Sequence, residues 1–258
     1  MGTQGKNGLT IQSVERALAI LEEFSVREKE LGVTEIAKRV GLNKSTCFNL
    51  INTLLQKGYL EQNPDNGKYR LSLKIFQLGK IYEAGLELRE IAKPFLQELV
   101  DKTGETVHLV IRDRREAVYI EKVEGPSAIK IISQIGTRVN LHCTGVGKVL
   151  LAFLPSEYID RLTQHALKKF TENTITDKEK LLAHLREIKE KGYSIDDEEI
   201  EVGLRCVAAP IFDHRKEVIA AISVSGPTSR MTYEKINELT EIVKETAFNI
   251  SVRLGYTK

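Results

Sequence analysis

The chain has 258 residues, enough for two domains, and its 41% hydrophobic and 29% charged content is that of a globular protein rather than a disordered or fibrous one. No run of about 18 apolar residues occurs, which excludes a helical membrane span. Three widely spaced cysteines offer no disulfide framework and point to a reducing cytoplasm. The formal charge of +2 is unevenly held: residues 1–80 carry twelve Lys and Arg against eight Asp and Glu, a net of +4 that leaves −2 for the remainder.

Residues 1–8 lack the apolar core of a secretion signal and read as a flexible tail. An amphipathic helix follows, with Val14, Ala17, Leu18, Ile20, Leu21 and Phe24 on one face. From Thr34 to Leu60 the pattern is two short helices joined by a tight turn. Thr34 is placed to cap the first, whose apolar positions are Ile36, Ala37 and Val40, and Gly41 can take the left-handed conformation that ends it. Asn43 can cap the second, from about Lys44 to Lys57, where Cys47, Leu50, Ile51, Leu54 and Leu55 form an apolar stripe. That leaves Ser45, Thr46, Asn49, Asn52, Thr53 and Gln56 facing outward, short hydrogen-bonding groups suited to base edges and phosphates. Between Ile36 and Leu60 there are Lys38, Arg39, Lys44 and Lys57 and no acid, a stretch that attracts phosphate. A helix pair of this kind enters the DNA major groove through its second helix.

Two alternating segments around Asn63-Pro64-Asp65-Asn66-Gly67 then make a β-hairpin, a wing whose Lys68 and Arg70 are placed to touch the sugar-phosphate backbone. The reading gives a DNA-binding domain over 1–74, a linker helix over 75–90 and a second domain over 91–258. In the second domain Ile91 to Lys102 reads as a helix, with Pro94 acceptable only near its first turn. Strands are expected at Thr106–Ile111, Ala117–Val123, Ala128–Gln134, Leu204–Phe212 and Glu217–Ser225, and helices from Thr144, at Leu181–Lys191 and at Tyr233–Leu254. The fold class is α+β, an antiparallel sheet packed with helices.

Three features of this domain can line a small-molecule site. Thr144-Gly145-Val146-Gly147-Lys148 opens a helix, where free N–H groups favour an anion; a plain helix start with glycine for close packing fits the spacing equally. Ser223 and Ser225 share one strand face, and their hydroxyls need partners that a ligand, backbone carbonyls or water can supply. Asp196 and Cys206 bracket the acidic run 196–199 and the start of an apolar strand, and these are equally the marks of a solvated turn and a small core residue. With His142 they are also types that ligate zinc or activate a thiolate. No Cys-x-x-Cys or His-x-x-x-His pair occurs, and Ser223-Val224-Ser225-Gly226 is not a Gly-x-Ser-x-Gly elbow, so no catalytic residue is assigned.

The segments His142–Ala152, Gly203–Ile211 and Ala220–Pro227, in that order behind the helix pair and wing, resemble those of IclR-type transcriptional regulators, and the likeness runs from about Leu9 to Leu254. The resemblance implies a winged helix-turn-helix joined by a helix to an effector-binding domain of GAF-like fold. It implies a cytoplasmic homodimer or homotetramer, in most members a repressor, that binds a double-stranded DNA operator and answers to a small carboxylate such as a 2-oxo or sugar acid. No cofactor is required, with zinc as the alternative occupant. In relatives that bind 2-oxo acids the carboxylate sits on the amides corresponding to Gly145 and Val146. Further contacts correspond to Asp196, Cys206, Ser223 and Ser225, and the apolar wall to Ala128, Ile131 and Leu204. Two departures stand out: Asn49 replaces the arginine of many recognition helices, which implies a different operator, and Ala128 is smaller than the leucine of glyoxylate binders, which leaves room for a bulkier effector.

Overall fold

The computed structural model describes residues 10–84, 87–128 and 131–257. The expected tail at 1–8 lies outside these residues. The chain folds as two compact units, 1–86 and 87–258.

The first unit contains α1 (Gln12–Glu22), α2 (Val33–Arg39), α3 (Lys44–Gln56), β1 (Leu60–Gln62), β2 (Tyr69–Leu71) and α4 (Leu73–Ala84). Ile20, Leu31, Ile36, Cys47, Ile51, Leu54, Leu60 and Tyr69 are its core. The Asn43 side chain accepts the Thr46 amide and starts α3, while Gly41 at φ 66° reverses the chain after α2. The cap expected of Thr34 is not made. Helix α2 begins at Val33 with Gly32 at the cap position, two residues earlier than a Thr34 cap requires, and Thr34 sits exposed in its first turn. In the wing, Gly67 at φ 68° closes the turn and Tyr69 pairs with both Gln62 and Leu31, which ties the hairpin to the helical core.

The second unit contains α5 (Glu87–Thr103), β3 (Thr106–Asp113), β4 (Glu116–Val123), β5 (Arg138–Asn140), α6 (Gly145–Ala152), α7 (Ser156–Leu162), α8 (Lys178–Lys191), β6 (Ser194–Asp197), β7 (Leu204–Phe212), β8 (Val218–Pro227) and α9 (Tyr233–Arg253). The strands form one antiparallel sheet in the order β5-β4-β3-β8-β7-β6. Alternation sends Val107, Leu109, Val207, Ala209, Ile222 and Val224 to one face, against α5 and α9. Val110, Ala208 and Ala221 face the other way, under α6 and α8.

Three expectations are corrected. Pro94 lies in the interior of α5 rather than its first turn. Its ring is exposed, so the carbonyl it leaves unbonded faces solvent, and burial of Ala92, Leu96 and Leu99 outweighs the break. Residues 131–134, the described part of the expected strand Ala128–Gln134 apart from Ala128, form no strand; their carbonyls at Ile131 and Ser133 bind the Lys122 ammonium at 3.1 and 2.9 Å instead, and β5 takes the sheet edge. The acidic run is not wholly a solvated turn, because Ser194–Asp197 is β6 and Asp196 points inward.

Candidate functional site

In the first unit, Lys44, Ser45 and Asn49 are exposed on α3 and Thr46 and Asn52 are half-buried. Ser45 donates to the capping Asn43 side chain at 2.9 Å, so its hydroxyl serves the helix start as well as the surface. Lys38, Lys44 and Lys57 are exposed, whereas Arg39 is held by Glu28 at 2.8 Å and Glu35 at 2.7 Å. The window that lacks acids in sequence is thus partly neutralised in space. Arg70 on the wing is likewise paired with Glu61 at 2.6 Å, while Lys68 is exposed. The sequence also passed over Phe48, exposed on α3 between the polar positions. With Arg39 and Arg70 compensated, the exposed Lys38, Lys44, Lys57 and Lys68 remain, and Lys44 is the one at the start of α3. Lys44→Ala is expected to weaken binding to all duplexes similarly and to reduce the slope of log affinity against log salt by about 1; an unchanged slope would remove α3 from the groove.

In the second unit the register builds two polar rows across one sheet face. Asp196 pairs with Cys206, Cys206 with Ser225 and Ser225 with Thr106. Two residues along, Ala208 pairs with Ser223 and Ser223 with His108. A β-bulge at Ile120 in β4 shifts the pairing beside Tyr119. Over these rows lies the N-terminus of α6. Thr144 caps it by accepting the Gly147 amide at 3.1 Å, which leaves the Gly145 and Val146 amides outside the helical ladder at its positive end. A Cβ on Gly145 would stand 2.8 Å from the Cys206 sulfur, so only glycine lets the helix start approach β7 this closely.

The space enclosed is a cavity of about 130 Å³. Its lining includes Ile131, Gly145, Val146, Asp196, Leu204, Cys206, Ser223 and Ser225, eight of the nine positions singled out in this domain. Ala128, the ninth, is exposed and is not part of the lining. His108, Tyr119, Ser133, Thr137, Val139 and Ile200 line the cavity as well and carried no signal in the sequence. His108 is a lone histidine between valine and leucine in an apolar strand, and its partner Ser133, 2.7 Å away, lies 25 residues on in an aperiodic loop. His142 turns elsewhere and bonds the Lys168 carbonyl at 2.9 Å. Among the described residues no group of three or more His, Cys, Asp or Glu side chains could hold a metal ion.

The cavity's carboxylate is held behind by a buried cation. Lys148, fully buried in α6, meets the Glu199 carboxylate, the Ile195 carbonyl at 2.7 Å and His184 at 3.2 Å. The Glu199 amide in turn donates to Asp196 at 2.8 Å. Burial pushes the Asp196 carboxyl up to about 7, with Lys148 and the amides of Glu199 and Ile200 opposing. Burial also drives the Cys206 and Cys143 thiols up to about 12, so neither is a ready thiolate. Folded Asp196 keeps its proton to about pH 7, whereas an unfolded carboxyl releases it near about pH 4, so its contribution to stability is lost as pH rises through that window. Asp196→Asn is expected to match the parent near pH 4 and to exceed it increasingly up to pH 7.5 in thermal unfolding; a pH-independent difference would refute the shift.

Two family models match the chain, the IclR helix-turn-helix domain over residues 13–64 and the bacterial transcriptional regulator IclR C-terminal domain over residues 81–252. The chain belongs to the IclR family of bacterial transcriptional regulators. Among its IclR relatives is the HTH-type transcriptional regulator XynR of Escherichia coli K12, 43% identical over 95% of this chain and 98% of that one. The HTH-type transcriptional repressor AllR of Klebsiella pneumoniae is 37% identical over 95% of this chain and 90% of that one. The crystal structure of an IclR homologue from Microbacterium hydrocarbonoxydans complexed with 4-hydroxybenzoate shares 26% identity and a TM-score of 0.85 over 94% of this chain and 99% of that one. These relatives are regulators rather than enzymes, and this IclR-family chain is a DNA-binding transcriptional regulator of α+β fold. No helix among its described residues is long and apolar enough to cross a membrane.

Proposed function

We propose that this regulator is a repressor whose operator affinity is set by a small carboxylate bound in the cavity beneath α6. The observation that carries the reading is the placement of two amides outside the helical ladder, at a helix N-terminus, beside polar sheet rows that line a cavity. The amides of Gly145 and Val146 supply the anion seat, Asp196 in its protonated form can donate to the same anion, and Ser223 and Ser225, 3.3 Å apart, complete the polar floor. Ile131 and Leu204 supply apolar walls. At about 130 Å³ the space is well below the roughly 300–1,000 Å³ of pockets for drug-sized ligands, which favours a compact metabolite. That one relative's structure holds 4-hydroxybenzoate supports a carboxylate as the ligand class.

DNA binding is assigned to Thr34, Lys44, Ser45, Thr46, Asn49 and Asn52 of the helix pair and to Lys68 and Arg70 of the wing, with the paired Arg70 contributing least charge. Homodimerisation or higher assembly is supported by apolar side chains left uncovered on α1 and α4, Leu18 at 53%, Leu73 at 79% and Phe76 at 64% exposure among them. The linker helix, proposed to run from Leu73 to 88 with residues 85 and 86 outside the described set, is the proposed carrier of the response. A thermal-shift screen of 2-oxo, sugar and aromatic acids tests the pocket. A true ligand at about a hundred times its dissociation constant adds about 2.7 kcal/mol to the stability of the second unit. A panel that leaves the transition untouched would sink the reading.

A further inference from the structure

We infer that His108, with Tyr119 beside it, is a specificity-determining residue of this cavity and selects carboxylates that carry hydroxyl groups over deoxygenated acids of equal length. The inference rests on the carboxylate reading above and adds the chemistry of the ligand's other end.

His108 is 98% buried on β3, in the register row of Ser223 and Ala208, and it lines the cavity. Its Nε2 is committed to the Ser133 hydroxyl at 2.7 Å, and its Nδ1 has no hydrogen-bond partner. A buried polar atom left unpaired is costly, and native proteins retain one where a water or a ligand completes it. Burial and the nearby Lys122 hold the imidazole down to about 3, so the ring is neutral across the physiological range. A neutral imidazole offers one donor and one acceptor and no charge. With Nε2 engaged by Ser133, Nδ1 alone remains for a further partner, as donor or acceptor according to the tautomer, and a hydroxyl can meet it in either role.

Tyr119 supplies the second polar wall. Its ring centroid lies 4.8 Å from that of His108, and among the described residues no group hydrogen-bonds its hydroxyl. Burial raises its ionisation well above the usual range, so it too remains a neutral donor and acceptor. A ligand that presents only methylene groups here would leave the buried His108 Nδ1 unpaired, and a site that buries such a group discriminates strongly against the deoxygenated analogue.

The test measures dissociation constants of threonate and butanoate, four-carbon acids that differ only in hydroxyl groups, by ligand-observed NMR on the full-length protein. The parent is expected to prefer threonate by about tenfold or more. His108→Phe is expected to reduce that ratio to about threefold or less, with butanoate held as well as before, while His108→Gln, which keeps a donor and an acceptor, retains most of it. Tyr119→Phe, a substitution that keeps the ring packing, is expected to lower the ratio several-fold and stands in if His108→Phe fails to fold. Equal binding of the two acids by the parent, or an undiminished ratio in the substituted proteins, overturns the inference while the carboxylate seat stands. Binding of neither acid defeats the seat itself, and this inference with it.

Discussion

Lys148→Ala is expected to lower the stability of the second unit by about 3–5 kcal/mol, because it strands the Glu199 carboxylate in the interior without its cation. The ammonium is fully buried in a helix that is apolar on every side, and its three partners come from α8, β6 and the segment after β6. Burial already raises the Glu199 carboxyl, with Lys148 opposing. Without Lys148 the acid would favour its neutral form, so the penalty should shrink as pH falls toward 5 and Glu199 takes up a proton. Denaturant unfolding at pH 5 and pH 8 reads both the size and the trend. Lys148→Met with Glu199→Leu should recover most of the loss, since a buried pair replaced by apolar groups of similar volume is often neutral. A loss below about 1 kcal/mol in the single variant would mean that water reaches the pair.

The second large effect is on ligand response rather than on folding. Gly145→Ala places a methyl 2.8 Å from the Cys206 sulfur and 3.4 Å from the Ala208 side chain, which wedges the helix start away from β7 and fills the proposed anion seat. Any carboxylate that stabilises the parent by about 2.7 kcal/mol at a hundredfold excess over its dissociation constant should give the variant no measurable shift. Affinity of the first unit for duplex DNA should persist, because the substitution lies in the second unit. Retained ligand stabilisation would show that the anion is held elsewhere; loss of DNA binding as well would indicate misfolding.

Local chemistry explains which parts of this molecule the sequence discloses. The apolar stripe of Cys47, Ile51 and Leu54, the Asn43 cap and the Gly41 reversal are all local signals, each decided within a few residues, and the structure carries all of them. The strand face shared by Ser223 and Ser225 follows from period two alone. What the pattern does not carry is pairing at a distance. Arg39 is a free cation in the sequence and a neutralised one in space, because Glu28 lies across a turn from it. His108 gains its meaning from Ser133 and Tyr119, and Lys148 from a glutamate 51 residues away, partners set by sheet register and helix docking rather than by spacing. That Gly145, Asp196 and Cys206 belong to one place is suggested by the family resemblance, and the structure brings all three to the cavity lining; their residue types alone leave a plain helix start and an ordinary core cysteine in view. Pro94 shows the converse, a local rule overridden by the burial of Leu96 and Leu99 on the far side of the same helix.

The most direct test of the central claim is the affinity of the full-length protein for its operator, selected from random duplexes, measured by fluorescence anisotropy with and without a carboxylate that stabilises the second unit. Saturating ligand is predicted to change that affinity by about 5–150-fold, the coupling of about 1–3 kcal/mol that separates two arrangements of one regulator, and Asp196→Ala is predicted to abolish the change. An acid that stabilises the second unit yet leaves operator affinity unaltered would contradict the account.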